Sequence, residues 1–193
     1  MFSISNFNRL FIIMLVIWCA CPLHSANIGY DHNQERIEAD SFLAGMPDKL
    51  QELQTEAIRK AISGESDLLY NVRNARNLAA ELPDGVSRTE IGKGLTLFRS
   101  NHYADDTIPL LVYFHGGGWV IGSINSCSRY CGAMAEKGIA VLAVDYRLAP
   151  EHPFPEGLDD CMDAINFALD NMEEWKCSSI SVGGDSSGGN LAI

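Results

Sequence analysis

The residue best placed to do chemistry is the serine at the centre of Gly184-Asp185-Ser186-Ser187-Gly188. A short β-branched run, Ile180 to Val182, leads into it, and Asn190-Leu191-Ala192-Ile193 after it reads as helix. Strand, sharp turn and helix put Ser186 at the apex of an elbow. A serine there sits in a strained backbone conformation, and side chains two residues either side would collide with it, which is why those positions are glycine. The exposed hydroxyl is a nucleophile for a carbonyl carbon. Earlier in the chain, the apolar run Leu110-Leu111-Val112-Tyr113-Phe114 feeds into His115-Gly116-Gly117-Gly118-Trp119. Amides without side chains can approach a reacting carbonyl oxygen, so the glycine loop and the amide of Ser187 suit an oxyanion hole.

A third stretch, Asp145-Tyr146-Arg147-Leu148-Ala149-Pro150-Glu151-His152-Pro153-Phe154-Pro155, follows no general structural rule. Together the three blocks resemble an α/β-hydrolase of the hormone-sensitive-lipase-like type, the group of bacterial carboxylesterases and arylacetamide deacetylase. The resemblance runs from about residue 108 to 193 and matches the N-terminal two-thirds of that fold. It implies an α/β architecture: a mostly parallel sheet flanked by helices, with an N-terminal helical cap segment. It further implies Ser186 as catalytic nucleophile, with Gly116, Gly117 and Ser187 as oxyanion donors. His115, Gly118, Arg147 and Glu151 would support the loops, Arg147 pairing with Glu151. His152 is read as part of a buttress rather than as a base, and Asp185 as set by the elbow rather than as the triad acid.

In that family the acid and the histidine follow the serine, in that order. Seven residues follow Ser186, none of them acidic or histidine. The expectation is a C-terminally truncated hydrolase, inactive as a 193-residue chain, whose complete form cleaves short-chain acyl esters without cofactor or metal. The alternatives are an inactive fragment or a small-molecule-binding protein on the same scaffold. Plant gibberellin receptors resemble this family, keep the glycine loop and elbow, and lack the catalytic histidine.

Composition narrows the field. With 193 residues and 47% hydrophobic content, the chain is long enough for one sizeable core. A net charge of −11 with no basic cluster argues against nucleic-acid binding. Arg9 precedes the apolar run Leu10 to Ala20, and small residues lead to Ala26, the pattern of a secretory signal over residues 1–26. An exported protein without stable membrane association after cleavage follows. An uncleaved anchor remains open, because His24 is bulky for a cleavage site. Lipoprotein processing at Ala20-Cys21 also remains open, although Trp18 fits it poorly. Past residue 26, Cys127, Cys131, Cys161 and Cys177 match no metal spacing and are expected as buried thiols.

Residues 27–85 read as a lead-in and a helical cap segment, and residues 86–193 as the catalytic domain. Leu50, Leu53, Ala57, Ile58 and Ala61 recur at helical spacing after Pro47 and stop at Gly64. A second stripe, Leu69, Val72, Ala75, Ala79 and Leu82, runs to Pro83. Leu95 to Phe98 suggests an early antiparallel strand. Alternating strands and helices then follow: 110–114, a helix around Cys127 to Ala135, 139–144, a helix from Asp159 to Met172, and 180–182. That order is the signature of a parallel sheet with right-handed crossovers.

Overall fold

A computed structural model describes residues 37, 56 and 59–193. The expected signal segment and most of the first cap helix lie outside the described residues. The chain divides into two units, Met1–Leu68 and Leu69–Ile193. In the first, residues 59–62 are helical and Gly64, at φ +75°, ends the turn, while Arg59 pairs with Glu56 and Glu65 at the surface. Among the described residues no helix is long and apolar enough to cross a membrane.

The second unit carries the sheet. From the helix that begins at the boundary onward, the elements are α1 (Leu68–Arg76), β1 (Val86–Gly92), β2 (Leu95–Ser100), β3 (Ile108–Phe114), α2 (Ile124–Glu136), β4 (Ala140–Val144), α3 (Glu156–Asn171), β5 (Cys177–Gly184) and α4 (Ser187–Leu191). The strand order is β1-β2-β4-β3-β5. β2 runs antiparallel to both β1 and β4, whereas β3 runs parallel to β4 and β5. The α2 and α3 crossovers thus link parallel strands, as the alternation of apolar runs predicts.

At β3 and β4 the sheet is covered on both faces, which explains why these strands are apolar at nearly every position. Leu110, Val112, Phe114, Leu142 and Val144 point to one side and pack with Cys161, Ala164 and Ala168 of α3. Tyr113, Val141, Ala143 and Phe98 point to the other and meet Cys127, Cys131 and Ala135 of α2. Each large side chain so buried contributes about 1.5–3 kcal/mol. All four described cysteines are free and buried, and burial pushes the Cys161 thiol up to about 12. Gly138, at φ +81°, follows α2 in the left-handed conformation that ends many helices.

Two features depart from the sequence pattern. The stripe through Leu82 predicts a helix reaching Pro83, yet α1 ends at Arg76. The segment after it is held by other partners. Asn77 Oδ1 accepts from Ser123 Oγ at 2.8 Å and from Asn125 Nδ2 at 2.9 Å, and the Ala80 N–H donates to Ser128 Oγ at 2.9 Å. Leu82 and Pro83 then pack where α2 carries Gly132; a Cβ there would lie 2.9 Å from Leu82. Tertiary hydrogen bonds and packing override the local periodicity. The other departure is β1, an edge strand of mixed composition that has no apolar run to announce it.

Candidate active site

β5 delivers Ser186 as the elbow predicts. The serine lies directly between β5 and α4, exposed, at φ 52° and ψ −119°. Residues with a Cβ rarely hold such a conformation, and it persists only where the surroundings over-determine it. Here they do. A Cβ on Gly184 or on Gly188 would run into the Phe114 carbonyl oxygen at the end of β3. The elbow therefore seats backbone against backbone on the strand that also launches the glycine loop.

Hydrogen bonds join loop and elbow. The Gly116 N–H donates to Asp185 Oδ1 at 2.9 Å, and the Trp119 N–H reaches Ser187 Oγ at 3.4 Å. Asp185 Oδ1 also accepts from the Tyr113 hydroxyl at 2.8 Å. Gly116, expected as an oxyanion donor, thus has its N–H taken by the carboxylate beside the nucleophile. The next two glycines are turned differently. Gly117 has φ +135° and Gly118 φ +62°, and a Cβ on Gly117 would overlap the Ile121 carbonyl oxygen. Among the described residues no acceptor takes the N–H of Gly117, Gly118 or Ser187. Amides left open in this way, on a loop hydrogen-bonded to the elbow that carries Ser186, suit a developing oxyanion.

Tyr113 closes this arrangement from beneath. Its ring is buried against α2, and burial beside Asp185 raises the hydroxyl well above its ordinary range, so it remains a donor. Tyr113→Phe removes one donor from Asp185 and keeps the ring. A loss of about 1 kcal/mol is expected, read from the midpoint of urea denaturation; an unchanged midpoint would show the bond to be idle.

His115 is buried and stacks on the Tyr146 ring at a centroid distance of 4.4 Å. Its Nδ1 lies 2.9 Å from the Gly116 carbonyl oxygen, which can only accept, so Nδ1 carries the proton. Burial lowers the ring's affinity for a second proton. Nε2 stands 3.7 Å from Asp145 Oδ1, and an ion pair there would need the charged ring that burial opposes. The Tyr146 hydroxyl donates to the His115 carbonyl at 2.6 Å. His115 therefore anchors the root of the loop. His152 Nδ1 is 2.9 Å from Glu156 Oε2.

The expected Arg147–Glu151 pair does not form. Arg147 turns to α3, with Nη2 2.8 Å from Asp160 Oδ1 and Nη1 2.6 Å from Glu156 Oε2. Glu151 pairs instead with Arg73 of α1, Nη1 to Oε1 at 2.8 Å and Nη2 to Oε2 at 2.9 Å. Sequence reasoning missed Arg73 because nothing local marks it; its partner is 78 residues away. Among the described residues no group of three or more His, Cys, Asp or Glu side chains is placed to hold a metal ion.

Comparison with known proteins fits this geometry. Residues 111–193 match a family model described as alpha/beta hydrolase fold. The chain is 44% identical over 90 residues to carboxylesterase NlhH of Mycobacterium tuberculosis, covering 45% of this chain and 28% of that protein. It is 36% identical over 133 residues to an AB hydrolase superfamily protein of Schizosaccharomyces pombe, covering 67% of this chain and 38% of that one. Among solved structures, one described as a bacterial heroin esterase superposes with a TM-score of 0.57 at 33% identity, covering 68% of this chain and 44% of that one. The chain spans less than half the length of these relatives.

Proposed function

We propose that this chain, whose residues 111–193 match a family model described as alpha/beta hydrolase fold, serves a serine carboxylic-ester hydrolase in which Ser186 is the nucleophile. The observation that carries this is the exposed, strained Ser186 together with the amides of Gly117, Gly118 and Ser187, which no acceptor takes among the described residues. Ser186 Oγ attacks the ester carbonyl carbon as its proton passes to a general base. The carbonyl oxygen becomes an oxyanion held by the three amides, and the tetrahedral intermediate collapses to expel the alcohol. Water then attacks the acyl-serine and releases the acid.

A triad also requires a histidine and an acid, and in the order Ser, Asp or Glu, His they would follow residue 193. A protein extended beyond Ile193 is therefore the form to assay, with nitrophenyl acetate as substrate. Acetyl found on Ser186 by mass spectrometry after rapid quenching supports the assignment; acetyl on another side chain, or none during turnover, refutes it.

Export is part of the same proposal. Arg9, the apolar run to Ala20 and the small residues to Ala26 support it. Sequencing of the secreted or periplasmic protein is expected to begin near Asn27, and finding Met1 retained there would overturn the cleavage.

A further inference from the structure

Arg73 occupies the last turn of α1, its side chain largely shielded, and it spends its guanidinium on two separate loops. Nε donates to the Val120 carbonyl at 2.8 Å, immediately after the glycine loop. Nη2 donates to the Ala149 carbonyl at 2.8 Å, in the proline-bounded loop after β4. The outer nitrogens hold both oxygens of Glu151 in a fork-to-fork pair. Between the loops, the Ala149 N–H donates to the Trp119 carbonyl at 2.9 Å.

We propose that Arg73 is a positioning residue for ester hydrolysis, fixing the direction of the Gly117 and Gly118 amides through Val120. The assignment rests on the function proposed above. The path is short. The Val120 and Ile121 N–H groups return to the Gly117 carbonyl at 3.2 and 3.0 Å, closing one tight turn around the residue whose φ is +135°. Gly117 has no side chain to limit its conformation, so its orientation depends on what grips the far side of that turn. On that far side stands the Val120 carbonyl, and Arg73 holds it. Asn77, one turn past Arg73, grips Ser123 and Asn125 further along, so one segment holds the chain that follows the glycines at two points. Glu151 fixes the guanidinium plane, and Arg73 in turn keeps the Glu151 carboxyl below the usual carboxylate range. Only a planar, five-donor group can span two carbonyls and a carboxylate at once; a lysine ammonium is a point charge and cannot.

The test compares Arg73→Gln, Arg73→Lys and Glu151→Gln with wild type in the ester-hydrolysing protein, rates being normalised to active sites titrated with an organophosphate. Displacing oxyanion donors by about 1 Å costs on the order of 10²-fold in turnover, so Arg73→Gln is expected to lower kcat by that factor with KM within about twofold. Arg73→Lys is expected to rescue little of it, and Glu151→Gln, which leaves both carbonyl contacts in place, to lose less. Hydrogen exchange at the Val120 and Ile121 amides is expected to accelerate in Arg73→Gln while β3 and β4 amides hold their rates. An active wild type whose Arg73→Gln variant keeps both kcat and loop exchange overturns this assignment alone. Full rescue by lysine also overturns it, as charge would then suffice. A wild type that neither hydrolyses ester nor takes the organophosphate on Ser186 overturns the function and this assignment together. Should Arg73→Gln fail to fold, the lysine variant decides by the same kcat and exchange criteria.

Discussion

Replacing Ser186 by alanine is expected to lower the turnover of nitrophenyl acetate by up to about 10⁶-fold, to the rate of the oxyanion amides acting on water alone. The loss is that large because nucleophile, base and acid act as one unit: without the hydroxyl, neither proton transfer nor the acyl-enzyme exists. Alanine has the same Cβ as serine, so the strain at φ 52° is unchanged and the elbow keeps its seat on Phe114. Circular dichroism and the urea midpoint should therefore match wild type. Equal, low rates in wild type and alanine variant, with both proteins folded, would favour a receptor-like protein, which needs the pocket but not the attack. For scale, removing one oxyanion donor costs about 10² to 10³-fold. A fall confined to that range would mean that Ser186 assists the reaction without being acylated.

The elbow and the glycine loop are legible in the chain because their constraints are local. Gly184 and Gly188 flank Ser186 where side chains cannot fit, and Phe114 leads straight into His115 and the glycines. β3 and β4 are legible because burial on both faces demands continuous apolar runs. What the chain hides depends on distant partners. Whether Gly116 offers its amide to a substrate turns on the Asp185 carboxylate 69 residues away. Whether Glu151 pairs with Arg147 or Arg73 turns on which way the proline-bounded loop faces; charge alone allows both. The end of α1 is hidden for a similar reason, since Ala79 and Leu82 keep the helical rhythm while Ala80 is claimed by Ser128. β1 escapes notice because an edge strand half-open to solvent carries Ser87, Arg88, Thr89 and Glu90 rather than an apolar run. The glycine pattern marks Gly116 as a donor all the same, because nothing local in the chain tells that its N–H is taken by Asp185.

Gly188→Ala is expected to cost more than about 4 kcal/mol of stability, beyond the ordinary range for a single methyl group. Gly188 is buried in the first turn of α4. Its added Cβ would overlap the Phe114 carbonyl oxygen, lie 2.6 Å from the Phe114 carbonyl carbon and 2.8 Å from the His115 oxygen. None of these is a flexible side-chain end that can swing away. Phe114 is paired to Val144 on one side and to Gly184 on the other, so moving it disturbs three parallel strands. Relief must come from lifting the elbow off β3, which breaks the Phe114–Gly184 pairing and carries Ser186 away from the glycine loop. Gly189→Ala is the control. Its Cβ would meet only the Gly184 carbonyl, at 3.1 Å. Alanine's better helix propensity offsets part of that contact, leaving a cost of about 1 kcal/mol or less. Urea denaturation of the two variants measures the difference, and ester hydrolysis by whatever Gly188→Ala protein stays folded measures the displacement of the serine. Matching midpoints for Gly188→Ala and Gly189→Ala would mean that the elbow has room to spare against β3. The close backbone seat would then no longer account for the strained serine.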